Sequence, residues 1–76
     1  MQIHVPDTNE YIDVISTSIV GDSKDYSIIY KTEYGDKNVG QVDDVVDSRN
    51  LLRSMVILEN MIKNNNYIKF DITIKW

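Results

Sequence analysis

Three aspartates, Asp43, Asp44 and Asp47, crowd into the segment VDDVVDSRNLL, just ahead of the longest apolar part of the chain. Carboxylates this close together could bind a hard cation, because Mg²⁺ and Ca²⁺ prefer oxygen ligands. However, the segment lacks the spacing of an EF-hand loop, and no phosphate-binding glycine loop accompanies it. Carboxylates also stabilise the first turn of a helix, where backbone N–H groups are unpaired. The spacing therefore predicts a helix start, with Ser48 as a competing cap, and no metal site.

His4 is the only histidine, which excludes a zinc site built on two histidines. A serine nucleophile would need His4 as its base, oriented by an acid such as Asp7 or Asp13. No serine lies in a nucleophile-elbow motif, and a general base must be held more firmly than a chain terminus allows. We therefore expect His4 to be a surface or strand-edge residue and the protein not to be an enzyme. Nothing in the sequence indicates a cofactor.

Tyr26, Tyr30 and Tyr34 recur at even spacing in a β-rich segment, which places them on one face of a strand. Two roles fit this pattern, namely aromatic packing between strands and an exposed stripe that binds a protein. Stacking of nucleic-acid bases would also need positive charge, whereas acids flank these tyrosines. Arg49 and Arg53, one helical turn apart, are too few to form the basic footprint of a nucleic-acid binder. The sequence does not favour direct nucleic-acid binding.

Length and composition predict a small folded protein with one domain over residues 1–76. The chain has no cysteine, no apolar run of membrane-spanning length and no signal-peptide pattern, so we expect a cytoplasmic location. The net charge is −4, but residues 1–47 carry ten acids and three bases, whereas residues 48–76 carry two acids and five bases. An acidic part and a mildly basic part can orient a partner during encounter.

Alternating apolar residues in YIKFDITIKW, at 67–76, predict a strand that faces the core on one side. The β-branched and aromatic segments 11–20 and 26–33 predict two strands joined by the turn GDSKD. A turn at YGDK leads to a short third strand, NVGQV, and QIHV at 2–5 is an additional strand candidate. Together they predict an antiparallel meander of three to five strands.

One helix is predicted at about residues 43–63, with Leu51, Met55, Leu58 and Ile62 on one stripe and Leu52 on its flank. This stripe can cover the apolar face of the sheet, which gives a two-layer α+β domain in the order β-β-β-α-β, with the extra N-terminal strand before it. Apolar residues also lie off the stripe, where a helix in two layers should be polar. They are Val46, Ile57 and Met61.

The acidic part of the sheet, together with the tyrosines, is the surface predicted to bind a protein partner. Its residues are Asp13, Asp22, Asp25, Tyr26, Tyr30, Glu33, Tyr34 and Asp36. The chain is rich in isoleucine and asparagine and has no alanine, which is typical of an AT-rich genome such as that of a low-GC bacterium or its phages. The leading hypothesis is therefore a protein-interaction module, an inhibitor from a phage or mobile element that binds a host nuclease or another nucleic-acid enzyme.

Two alternatives remain open at this point. In the first, the chain is a structural homo-oligomer, such as a homodimer, that uses an exposed sheet edge and buries Val46, Ile57 and Met61 against another copy. In the second, the Arg49 and Arg53 face binds nucleic acid weakly, and affinity would fall steeply with salt.

Overall fold

Six β-strands and one α-helix form two layers in a computed structural model that describes every residue, Met1–Trp76. A short 3-10 helix, Val39–Gln41, follows the fourth strand. The elements in chain order are β1 (Gln2–Val5), β2 (Glu10–Asp22), β3 (Tyr26–Thr32), β4 (Gly35–Asn38), β5 (Asp44–Val46), α1 (Arg49–Asn64) and β6 (Lys69–Lys75). The predicted α+β class, an antiparallel sheet with one helix on one face, is confirmed.

The sheet is organised around β2, which is 13 residues long. Along one edge β2 pairs with β3, which in turn pairs with β4. Along its other edge β2 pairs first with β1 and then with β6, and β5 extends the sheet beyond β1. All pairs are antiparallel, so every strand that follows a turn folds back on its neighbour. The strand predicted at residues 2–5 is present as β1.

A β-bulge at Ile15 divides β2 into two halves. Before it, Ile12 and Val14 are buried, whereas after it Thr17 and Ile19 face the core. The extra residue shifts the alternation by one position, which leaves Ile15 exposed. The first half of β2 therefore pairs mainly with β1, and the second half pairs with β3 and β6.

The core under the second half of β2 is built from matched cross-strand residues. Ile19 lies opposite Ile28 of β3 and Ile72 of β6 and is fully buried. Thr17 is also fully buried, and the indole Nε1–H of Trp76 donates to its hydroxyl at 2.8 Å, so no buried polar atom is left unsatisfied there. Strand β6 alternates half-buried and exposed residues along its length, as its sequence predicts.

Helix α1 covers this core with the predicted stripe. Leu51 and Leu58 are buried, and Met55 and Ile62 are half-buried against the same cluster. The helix ends at Asn64, and the N–H of Asn65 donates to the carbonyl of Met61. The helix thus ends within the asparagine run at 64–66, one residue beyond its predicted end at about residue 63.

The predicted start of the helix is wrong by about six residues. Asp44 belongs to β5, Asp47 has a left-handed backbone with φ of 56°, and α1 begins at Arg49 with no acid in its first turn. Ser48 occupies the N-cap position, but its side chain makes no capping hydrogen bond. The interpretation of these three aspartates as helix caps is therefore incorrect, because residues 44–46 pair with β1 instead.

The third strand of the meander is also displaced. Residues 35–38 form β4, and Val39–Gln41 forms the 3-10 helix, so the predicted strand NVGQV is wrong. The turn between β3 and β4 consists of Glu33 and Tyr34, and the Thr32 hydroxyl donates to the carbonyl of Gly35 at 2.9 Å. This local hydrogen bond closes a turn that lies earlier in the chain than the turn predicted at YGDK.

Candidate functional site

The predicted partner surface is divided between the two ends of the sheet. Asp22, Asp25 and Tyr26 lie at the β2–β3 turn, whereas Glu33 and the residues after it lie at the opposite end of β3. Asp13 belongs to that opposite end as well. Asp22 lies nine positions further along β2, which is roughly 30 Å of extended chain. The eight residues therefore do not form one patch.

Asp22 holds its own turn together and is not a free carboxylate. Its Oδ1 accepts hydrogen bonds from the backbone N–H groups of Asp25 at 3.0 Å and Lys24 at 2.9 Å, and its Oδ2 accepts one from the Tyr67 hydroxyl at 3.2 Å. These bonds, the one from Asp25 first, hold the pKa of Asp22 below its ordinary value, because they stabilise the carboxylate. The prediction that Asp22 contacts a partner loses its support, since its oxygens already have partners.

The tyrosine stripe is mostly packing. Tyr30 is 3% exposed, and burial raises the pKa of its hydroxyl. The ring of Tyr26 meets that of Phe70 edge-on, with 5.8 Å between centroids. Tyr34, in contrast, is 69% exposed. The prediction that Tyr30 contacts a partner is wrong, because its side chain is enclosed between the sheet and the helix layer.

A cluster of carboxylates and exposed tyrosines lies at the end of the sheet formed by the start of β2, β5 and the β3–β4 turn. Tyr11 of β2 and Asp44 of β5 both lie opposite His4, and Asp13 lies opposite Gln2. We call this surface the acidic end. It consists of Glu10, Tyr11, Asp13, Glu33, Tyr34 and Asp44.

Electrostatics tie the β3–β4 turn to the start of β2. Hydrogen bonding to the Glu33 carboxylate raises the pKa of the Tyr34 hydroxyl, and the negative charges of Glu33 and Glu10 add to this effect. The two carboxylates and the tyrosine therefore lie within electrostatic reach of one another. The acidic end was only half predicted: Glu10 and Tyr11 were not assigned to it although they shortly precede Asp13 in β2, and Asp44 joins it only through the pairing of β5 with β1.

Few bases neutralise the acidic end. The chain forms two ion pairs, His4 with Asp43 and Arg49 with Asp47, and neither uses a carboxylate of the acidic end. Asp36, which was predicted to belong to the binding surface, lies opposite Lys31 in the β3–β4 pair. Glu10 and Glu33 thus project negative charge without a salt-bridge partner, whereas Asp44 lies opposite His4 and its charge contributes to the raised pKa of the imidazole.

His4 is held from both sides, which its position near the terminus did not indicate. Its Nδ1 is hydrogen-bonded to the Asp43 carboxylate, its Nε2 lies 2.8 Å from Oδ1 of Asn9, and its ring lies 4.9 Å from that of Tyr11. The bond to Asp43 first, and then that to Asn9, raises the pKa of the imidazole, whereas burial opposes the shift. With an oxygen at each ring nitrogen, the geometry favours the imidazolium. His4 therefore ties the β1–β2 turn to the segment before β5.

The two hydrogen bonds of the His4 ring predict that the free energy of unfolding depends on pH. The folded-state pKa of His4 lies above its ordinary value of 6.5, so its contribution is complete below about pH 6.5 and is lost as pH rises through the folded-state pKa. We expect the free energy of unfolding, measured by urea denaturation, to fall across this window in the wild type and to be flatter in His4→Gln. An NMR titration that gives His4 a pKa at or below 6.5 would contradict the assignment.

Helix α1 exposes apolar residues on the side that faces away from the sheet. Leu52 is 61% exposed and Ile57 is 60% exposed, and Val56 and Met61 are exposed as well. Val46 was predicted to share an interface with Ile57 and Met61, but it lies on the face of the sheet opposite the helix, because its neighbour Val45 pairs with the buried Ile3. The three residues predicted to form one oligomer interface therefore lie on two separate surfaces.

No group of three or more His, Cys, Asp or Glu side chains in the chain is arranged to hold a metal ion. The single α-helix falls short of the length and apolarity that a membrane-spanning helix needs. Comparisons of this chain with protein-family models, with curated proteins and with solved structures found no match.

Proposed function

We propose that this chain is a protein-interaction module whose acidic end binds a basic face of a protein partner. The observation that carries the proposal is the acidic end itself, where carboxylates without an ion-pair partner share one end of the sheet with two exposed tyrosines, Tyr11 and Tyr34. Tyrosine is enriched in protein interfaces because its ring supplies apolar area and its hydroxyl a hydrogen bond. Carboxylates around such a centre attract a basic partner and suppress binding of acidic ones.

A role in binding fits the chemistry of the chain better than a catalytic role. His4 is the only histidine, and both its ring nitrogens are engaged, by Asp43 and Asn9. Neither nitrogen is free to take a proton from a nucleophile. The proposal therefore includes no catalytic residue and no cofactor, and it places the protein's activity on its surface.

In a narrower form of the proposal, the partner is a nucleic-acid enzyme. An end of the sheet that carries several carboxylates resembles the charge of a nucleic-acid backbone, so the complementary surface is the nucleic-acid-binding face of a nuclease or another nucleic-acid enzyme. The composition, rich in isoleucine and asparagine and without alanine, supports a source with an AT-rich genome. In this form the protein is an inhibitor, from a phage or mobile element, that acts in the cytoplasm of its host.

The experiment is capture of partners by the immobilised protein from a lysate of a low-GC bacterium, at moderate salt, with mass spectrometry of the retained proteins. We expect near-stoichiometric retention of a nucleic-acid enzyme that is released when duplex DNA is added, because DNA competes for the same basic face. Retention of no protein even at low salt would refute the interaction module. Retained protein that DNA does not release would refute the inhibitor form and leave the interaction module standing.

A further inference from the structure

The outward side of α1 has a mixed apolar and basic character. At 100° per residue, Leu52 and Val56 form one apolar edge, and Ile57 and Met61 form the other. Between the two edges runs a polar stripe of Arg49, Arg53 and Asn60. All these residues are exposed. We call this surface the helix outer face.

The charge of the helix outer face determines what can cover it. The helix carries Arg49, Arg53 and Lys63 and only one acid, Glu59. Two such faces packed against each other would bring like charges together, and close approach of like charges is costly. The occupant must therefore offer carboxylates for the arginines and apolar or aromatic groups for the two edges.

The acidic end offers this chemistry. Its carboxylates Glu10 and Glu33, which both lie within electrostatic reach of Tyr34, can pair with the two arginines, and the exposed ring of Tyr34 can cover an apolar edge. We propose that the helix outer face binds the acidic end of a second copy of this chain. The inference rests on the proposed function in one respect, because the same acidic end makes the contact, and a basic protein partner would compete with the second copy.

The two surfaces cannot meet within one copy. Helix α1 begins beside Met1 and Trp76, and the connection from α1 to β6 reaches the β2–β3 turn, where the Ile68 N–H is bonded to Ser23. The helix therefore covers the half of the sheet away from the acidic end, in a molecule that extends 39 × 20 × 18 Å. Contact between two different surfaces is heterologous, so the copies associate head to tail, into open chains or closed rings.

The test measures self-association by sedimentation from ~10 μM to ~1 mM protein, a range suited to weak interfaces. At about 20 mM salt we expect the average mass to rise with concentration to more than twice the monomer mass of 8.8 kDa. At about 500 mM salt we expect it to return to the monomer value, because the charge pairs are screened.

Charge reversal on each surface separates head-to-tail association from other modes. The paired changes Arg49→Glu with Arg53→Glu, and Glu10→Lys with Glu33→Lys, should each abolish association alone. An equimolar mixture of the two variants should restore it, because every contact then joins surfaces of opposite charge. Controls with the same net charge are Lys69→Glu with Lys75→Glu, and Asp25→Lys with Asp71→Lys. All these positions are exposed, and circular dichroism checks that each variant folds.

A wild type that stays monomeric at low salt up to the highest concentration would overturn the inference, while binding of a basic partner would leave the proposed function intact. Association that persists in the helix variant would also overturn it. If the acidic-end variant still associates and the helix variant does not, the interface is helix on helix and the head-to-tail arrangement is wrong.

Discussion

Replacing Leu58 with alanine is expected to lower the free energy of unfolding by about 2–5 kcal/mol, the usual cost of truncating a fully buried leucine. Leu58 is 1% exposed and lies at the centre of the stripe that joins α1 to the sheet. A domain of this size rarely has more than about 3–5 kcal/mol of stability. The Leu58→Ala protein should therefore be largely unfolded at 25 °C.

The matched control is Leu52→Ala in the same helix, where the side chain is 61% exposed. Its effect should stay within about 0.5 kcal/mol, because alanine also favours the helix. Urea denaturation followed by circular dichroism, with fluorescence of the single tryptophan, Trp76, gives both values. Similar losses for the two variants would show that the helix does not bury the predicted face.

Gly21→Ala is expected to destabilise the protein by at least about 2 kcal/mol, through backbone strain and overpacking. Gly21 has a φ of 145°, and a Cβ there would lie 2.4 Å from the carbonyl oxygen of Asp25 and 2.7 Å from Cα of Tyr26. Both obstacles are backbone atoms, so no side-chain rotation relieves them. The residue also lies between Tyr26 of β3 and Phe70 of β6, whose rings pack together.

Gly40→Ala is the control for this substitution. No atom lies within 4 Å of a Cβ at Gly40, and its backbone conformation does not require glycine. We expect Gly40→Ala to change the free energy of unfolding by no more than about 0.5 kcal/mol. Because alanine lowers the conformational entropy of the unfolded chain, the change should be stabilising. Thermal denaturation of both variants under one buffer condition tests the pair. Equal melting temperatures for the two would mean that the β2–β3 turn has a different geometry.

The elements that could be predicted from the sequence are those whose burial is periodic. Strand β6 alternates strictly, and the stripe of α1 repeats at helical spacing, so local residues alone reveal the buried face. Strands β2 and β3 were predicted from β-branched and aromatic residues. The bulge at Ile15 could not be predicted, because one inserted residue shifts the alternation without changing composition.

The errors arose where long-range pairing decides the structure. Strand β5 has only three residues, and it forms because β1, far earlier in the chain, offers a free edge. The contact between His4 and Asp43 spans 39 residues and draws this aspartate away from the helix start. A cluster of acids before an apolar segment looks like a helix cap in any local window, and only the tertiary pairing overrides that interpretation.

The sequence predicted that the candidate site would be acidic and carry tyrosines, but it did not predict which residues would form it. Excess negative charge before residue 48 indicated an acidic surface, and exposed tyrosines were expected on it. In the structure Tyr30 is buried, and Asp22 accepts hydrogen bonds within its own turn, so neither is available at the surface. Tyr11 and Asp44 belong to the site instead, because both lie opposite His4. Residue type does not show which end of a strand a side chain occupies in space, so the division of the acidic residues required the register of β2 with its neighbours.

Titration of the captured partner by isothermal calorimetry tests the central claim that the acidic end is the binding surface. The paired change Glu10→Gln with Glu33→Gln should weaken binding at least tenfold, which corresponds to about 1.4 kcal/mol. Asp25→Asn with Asp71→Asn removes the same charge elsewhere on the surface and should leave the affinity within about twofold. Equal weakening by the two pairs would mean that net charge alone drives binding, and it would contradict a binding surface at the acidic end.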